Sequence, residues 1–123
     1  MKYSANWAYD VEYDVKISTF ADERISRISD KTALAKIKAM IVGLSDAPDI
    51  KGKAHHGKLK GYRRLRFSRY RITYKVLLSR RLVVVADVGI EKEGDREDTY
   101  RELISFLDST DKDWFLKPKY FRR

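Results

Sequence analysis

The run from Arg81 to Gly89 holds Leu82, Val83, Val84, Val85, Ala86 and Val88, broken only by Asp87. Alternate side chains of a strand point to opposite sides, so a nearly continuous apolar run predicts a central strand covered on both faces. The segments before it obey a period of two. Leu65 and Phe67 point one way while Arg64 and Arg66 point the other. After a short link at Ser68 and Arg69, Tyr70, Ile72, Tyr74, Val76 and Leu78 share one face, and Arg71, Thr73 and Lys75 share the opposite one. Both read as half-buried strands with a basic side.

The same rule predicts a strand over Tyr9 to Ile17, where Tyr9, Val11, Tyr13 or Val15 alternate with Asp10, Glu12, Asp14 and Lys16. Residues 1 to 8 show no period and are expected to form a loose arm. From Phe20 the period lengthens: Ile25 and Ile28 sit at i, i+3. After the capping residues Ser29 and Asp30, Leu34, Ile37, Ile41 and Leu44 repeat at helical spacing. That predicts a helical hairpin stopped by Pro48. Residues 45 to 61 carry Pro48, three glycines, several lysines and the pair His55, His56, which suits an exposed loop. Asp95 is placed to cap a last helix whose buried stripe is Tyr100, Leu103, Ile104 and Leu107. The expectation is one α+β domain over residues 1–123, with a core of about 9–108. Residues 109–123 form a basic tail bearing Trp114, Phe115, Tyr120 and Phe121.

Charge narrows the function. Between Lys51 and Arg81 there are twelve Lys or Arg and no Asp or Glu, while the whole chain has 27 basic and 18 acidic side chains, leaving everything else at −3. A block of like charge repels itself until a polyanion relieves it, and nucleic acids are the commonest polyanions that a soluble protein meets. The apolar residues inside the block follow strand spacing, which argues against an interfacial membrane helix. Absence of cysteine excludes disulfides and cysteine-ligated zinc. No apolar run is long enough to cross a membrane and no leader pattern is visible, so the default expectation is a cytoplasmic protein. No Asp, His or Glu cluster has metal-ligand spacing, and no glycine-rich loop fits a phosphate-binding fingerprint; neither metal nor cofactor is implied.

Leu59 to Tyr74, reading Leu-Lys-Gly-Tyr-Arg-Arg-Leu-Arg-Phe-Ser-Arg-Tyr-Arg-Ile-Thr-Tyr, resembles the characteristic hairpin of the RelE/ParE toxin superfamily. Val83 to Gly89, followed by a charged loop and Thr99-Tyr100, is similar to that family's last strand and final helix. The resemblance spans about residues 9–108. It departs from the pattern at Ser68-Arg69, where Gly-Asp is usual, and at the expanded stretch Gly89 to Arg96, where a short Gly-His-Arg or Gly-Lys-Arg is usual. It implies a RelE-like domain in the order β-α-α-β-β-β-α: a mostly antiparallel four-stranded sheet, an N-terminal helical hairpin on one face and a C-terminal helix. It also implies the toxin of a type II toxin–antitoxin system. RelE-like members cleave messenger RNA on the ribosome, whereas ParE-like members inhibit DNA gyrase. A third possibility is a noncatalytic RNA-binding protein of the same fold. The implied partners are messenger RNA, the ribosome and a cognate acidic antitoxin expected to cover the basic face; the tail is open to packing on the sheet, ribosomal RNA or the antitoxin.

Metal-free RNA cleavage needs a base for the 2′-hydroxyl, a cation for the dianionic phosphorane and help for the leaving 5′-oxygen. Arginine suits the second role through its permanent charge and bidentate fork. By alternation Arg64, Arg66 and Arg71 share one solvent-facing side, and the resemblance matches them to basic residues around the scissile phosphate. Arg71 is expected to stabilise the transition state, and Arg64 and Arg66 to hold the backbone. Tyr100 matches a family tyrosine that stacks on a base or moves a proton, activated here by arginines that lower its pKa; it also fits the apolar stripe. Lys92 and Arg96 are the candidates for the basic residue after the last strand. Lys58, Lys60, Arg63 and Lys75 are expected phosphate contacts. Asp95, Glu97 and Asp98 are better explained by capping than by base chemistry. His55 and His56 are candidate acid–base groups or plain loop residues.

Overall fold

The computed structural model describes residues 12–91 and 99–122. Its strands are β1 (Asp14–Ile17), β2 (Lys53–Ala54), β3 (Arg63–Phe67), β4 (Tyr70–Leu77) and β5 (Leu82–Ile90); its helices are α1 (Thr19–Ser26), α2 (Lys31–Val42) and α3 (Arg101–Asp108). They form one sheet in the order β1-β5-β4-β3-β2. β1 runs parallel to β5, with Asp14 opposite Leu82, and the other pairs are antiparallel. The apolar run is therefore flanked on both sides, as its composition demands.

Each face has its own core. Ile25, Ile28, Ile37, Ile41 and Leu44 of the helical hairpin and its flanks pack with Ile72, Tyr74, Val83, Val85 and Val88 on the first face. Leu103 and Trp114 pack with Tyr62, Leu82, Val84 and Ala86 on the second, joined by Ile104, Leu107, Phe115 and Phe121. Short 3-10 turns at Trp114–Leu116 and Pro118–Tyr120 fold the tail onto this second face. Phe121 ends in an isolated bridge with Ser18. Of the three fates open to the tail, packing on the sheet is the one seen.

Local chemistry explains the helix starts. The Ser18 hydroxyl accepts from the Ala21 N–H (3.0 Å) and donates to the Ala86 carbonyl (3.0 Å), so one side chain caps α1 and ties it to β5. Asp30 caps α2 by accepting from Ala33 N–H, as the sequence predicts. A bulge completes the two-faced strand: Thr73 lies opposite Asp87 but Tyr74 opposite Val85, leaving Ala86 as the extra residue. Val85 and Val88 thereby share the first face although they are three positions apart in the chain.

Three expectations change. The sheet has five strands, because the segment expected as an exposed loop contributes edge strand β2. The Tyr74 hydroxyl reaches the Pro48 and Lys51 carbonyls (2.9 and 2.7 Å), and Arg63 donates to the carbonyls of Lys51 and Gly52 (2.9 and 3.0 Å). Gly52 has φ +64°, and a Cβ there would lie 2.3 Å from the Arg64 carbonyl oxygen, so this approach needs glycine. The first strand begins at Asp14; residues 1–11 lie outside the described residues. Asp95, the expected cap, also lies outside them, and Tyr100 occupies the N-cap position of α3 without a side-chain capping bond.

Candidate active site

β3 and β4 bring the basic residues together as alternation predicts. Arg64 lies opposite Thr73 and Arg66 opposite Arg71, so all four side chains leave the second face, the one that carries α3. α3 and the tail cover the Leu82, Val84 and Ala86 part of that face, and the start of α3 sets Tyr100 beside the arginines.

Arg71 departs from expectation. It is 4% exposed rather than solvent-facing. Its Nη1 donates to the Ser68 and Tyr70 carbonyls (2.8 and 3.0 Å), and its Nη2 donates to Glu91 Oε2 at 2.6 Å. The guanidinium thus braces the β3–β4 turn, where Ser68 holds a left-handed φ of +54°, and it meets a carboxylate on its open side. Arg66 is exposed and Arg64 half-buried.

Two other basic residues are diverted. Arg63, expected on RNA, points away from this face and is spent on the loop carbonyls already described, because its partner across the ladder is Tyr74. Lys75 is on the correct face, but its ammonium sits 5.0 Å from the Tyr62 ring centre and 5.1 Å from that of Phe115, and burial lowers its pKa. It is a cation–π contact beneath the tail rather than a free phosphate ligand. Lys58 and Lys60 remain exposed. Lys92 and Arg96 lie outside the described residues, as do Glu97 and Asp98.

His55 is the residue that pattern reading undervalued. Its backbone N–H donates to the Tyr62 carbonyl at 2.9 Å, which continues the β2 edge and turns the ring inward to 7% exposure. Nε2 lies 3.3 Å from Thr73 Oγ1, and the ring meets Tyr100 edge-on at 4.9 Å between centres. His56 stays exposed. Burial, reinforced by Arg64 and His56, pushes the His55 pKa down to about 4, so its imidazole is neutral at pH 7. One signal was available: Thr73 is the only uncharged polar residue between Arg71 and Lys75 on the basic side of β4.

Tyr100 is half-buried and belongs to both settings that the sequence offered: it packs with the second core and faces the basic cluster. Its pKa is raised, a reversal of the expected direction. Burial outweighs the lowering effect of Arg64 and Arg71, and Glu91 and Asp87 add to the rise. At neutral pH the phenol keeps its proton and is a donor.

An ion pair with a buried carboxylate lies beside the site. Asp87, 1% exposed, places Oδ1 2.7 Å from Arg24 Nε of α1, and Arg24 also pairs with Glu102 of α3. Burial raises the Asp87 pKa to about 6 against the pull of Arg24. Gly89 lets residue 99 cross close by, since a Cβ there would meet the Thr99 carbonyl oxygen at 3.0 Å. Among the described residues no group of three or more His, Asp or Glu is arranged to hold a metal ion. No helix of the described residues is long and apolar enough to cross a membrane.

This architecture has known relatives. The profile of a family described as the ParE toxin of type II toxin–antitoxin system, parDE, matches residues 15–93. The chain belongs to that family, and so to the RelE/ParE superfamily of type II toxin–antitoxin toxins. No curated protein matches it. Among solved structures it is similar to a chain of the Mycobacterium tuberculosis RelBE2 toxin–antitoxin complex, with TM-score 0.58 and 25% identity over 66% of this chain and 93% of that one. It also resembles a chain of the intact Escherichia coli RelBE complex (TM-score 0.57, 19% identity, 66% and 99% covered). A double arginine-to-alanine mutant of Escherichia coli RelE in the free state aligns with TM-score 0.60 and 18% identity over 78% and 98% of the two chains.

Proposed function

We propose that this toxin is a RelE-like endoribonuclease that cleaves messenger RNA positioned by the ribosome, and that an acidic antitoxin silences it by covering the basic face. The observation that carries this reading is that Arg64, Arg66 and Arg71 share one partly open face of the sheet, with Tyr100 within electrostatic reach of Arg64 and Arg71. The 2′-oxygen attacks the adjacent phosphorus, and the developing dianion meets cations whose positions are set beforehand, so little reorganisation accompanies the reaction. Arg64 and Arg66 have forks available to phosphate oxygens. Arg71 acts from a fixed position, because backbone carbonyls and Glu91 already hold it. The protonated Tyr100 is poised to donate to the leaving 5′-oxygen or to stack on a base, a contact typically worth about 1–3 kcal/mol. Lys58 and Lys60 add salt-dependent attraction for the RNA backbone. RelE structures crystallised with their antitoxins support the partner, and the block without acids from Lys51 to Arg81 supports its acidic character.

The family profile itself favours a second reading, since it is that of ParE: inhibition of DNA gyrase, with the basic face incidental. Brief induction of the wild-type chain beside Arg64→Ala, followed by primer extension on cellular messages, separates the two. New 5′ ends within translated regions, missing in the variant, are the expected result. Intact messages with growth arrest and an SOS response would move the assignment to gyrase; intact messages with normal growth would leave a noncatalytic RNA-binding protein. Arg64 is preferred to Arg71 for this test because Arg71 also braces a turn.

A further inference from the structure

We propose that His55 is the proton acceptor for the attacking 2′-hydroxyl and that Thr73 is the positioning residue that fixes its tautomer, an inference that rests on the ribonuclease reading. A buried histidine is often no more than a satisfied core residue. Here its surroundings are those of the reaction: Thr73 from β4, Tyr100 from the start of α3, Arg64 from β3, and His56 beside it in the chain. Asp87, opposite Thr73 in the ladder, is the one carboxylate of β5, and it is paired with Arg24. Nε2 and Thr73 Oγ1 are 3.3 Å apart, and in the tautomer we assign Nε2–H donates to that oxygen and the lone pair lies on Nδ1. Nδ1 forms no hydrogen bond with the other described residues, and we assign it to the substrate hydroxyl.

The electrostatics make the base conditional on substrate. Burial and Arg64 keep the imidazole neutral in the free protein. A phosphate docked on Arg64 offsets that positive charge, and the proton affinity of His55 rises as the scissile group arrives. Nδ1 then takes the 2′-hydroxyl proton while the 2′-oxygen forms its bond to phosphorus. The P–O5′ bond breaks, its electron pair leaves with the 5′-oxygen, and Tyr100 supplies the proton for that oxygen. The products are a 2′,3′-cyclic phosphate and a 5′-hydroxyl. His55 returns its proton to water and Tyr100 recovers one from water, which restores both groups.

The test is cleavage of a defined message on programmed ribosomes by the purified full chain, comparing wild type, His55→Ala, His55→Gln and Thr73→Val, with thermal unfolding as the check on folding. His55→Gln keeps a side chain able to bond Thr73 and guards against collapse of the alanine variant. The expected result is a kcat loss of about 10²–10⁴-fold in both His55 variants with little change in KM, and partial rescue of His55→Ala alone by added imidazole. Thr73→Val is expected to lower kcat through the tautomer without gaining from imidazole. Wild-type cleavage with a folded His55→Gln retaining kcat within about threefold would overturn the role of His55 and leave the ribonuclease reading standing. Loss in both variants without imidazole rescue would assign His55 to packing and overturn the proposal. No cleavage by wild type would overturn the ribonuclease reading and this inference with it.

Discussion

Asp87 and His55 are both buried, and burial moves their pKa values in opposite directions, which predicts that their contributions to stability conceal each other. Asp87 goes from 3.8 to about 6, so between those values the folded state holds a proton that the unfolded state has released. Stability from this group is present below pH 3.8 and is lost as pH rises through 6, by about 3 kcal/mol at 1.36 kcal/mol per pH unit. His55 goes from 6.5 to about 4, so across that window the unfolded state holds the extra proton. Its contribution grows as pH rises from 4 to 6.5, by roughly 2–3 kcal/mol after allowance for solvent screening at the ring edge. The assay is urea unfolding of wild type, Asp87→Asn and His55→Gln from pH 4 to 7, read as the difference in stability between wild type and each variant so that other carboxylates cancel. The wild-type advantage over His55→Gln is expected to grow with pH, and that over Asp87→Asn to shrink. Asp87→Asn also carries a pH-independent offset, because Arg24 loses one carboxylate and keeps Glu102, and the slope with pH isolates the titration of Asp87. If either difference varies by less than about 0.5 kcal/mol over the window, the burial argument for that residue is wrong.

Tyr74→Phe removes one hydroxyl that serves the buried Pro48 carbonyl and shares the Lys51 carbonyl with Arg63; a loss of about 2 kcal/mol is expected, seen as a lower urea midpoint with unchanged slope. Ser68→Gly relieves a left-handed residue in an exposed turn and should stabilise by about 0.5–1 kcal/mol in the same assay, since the carbonyl that Arg71 uses is retained. Trp114→Ala removes a 2% exposed side chain whose Nε1–H donates to the Tyr62 hydroxyl at 2.9 Å, and it should cost about 3–5 kcal/mol in thermal or urea unfolding.

The parts of the fold legible from sequence are those with a local period. The two faces of β5, the basic side shared by Arg64, Arg66 and Arg71, the cap at Asp30 and the stripe of α3 follow from spacing alone. The rest depends on partners distant in the chain. Nothing near Lys51 announces that Tyr74 and Arg63 will hold its carbonyl, so β2 has no local signal, and the burial of His55 has only the polar Thr73 on the basic side of β4 to hint at it. Lys75 carries a phosphate-binding pattern until Phe115 arrives over it. Tyr100 shows that counting neighbouring charges without burial gives the wrong sign, for Arg64 and Arg71 do lower its pKa and still lose to desolvation.

The parallel pairing of β1 with β5 joins Asp14 to Leu82 and Ile17 to Val85, contacts between residues 68 apart in the chain. Such a closure is entropically late, because the intervening hairpin and helices must be ordered before it is rewarded. Until β5 is enclosed, its valine run has no cover on either face, and the unfinished chain presents the kind of surface that proteases and chaperones recognise. A toxin built around this strand therefore has a kinetic interval between synthesis and potency, set by topology, during which the cell's quality control competes with folding.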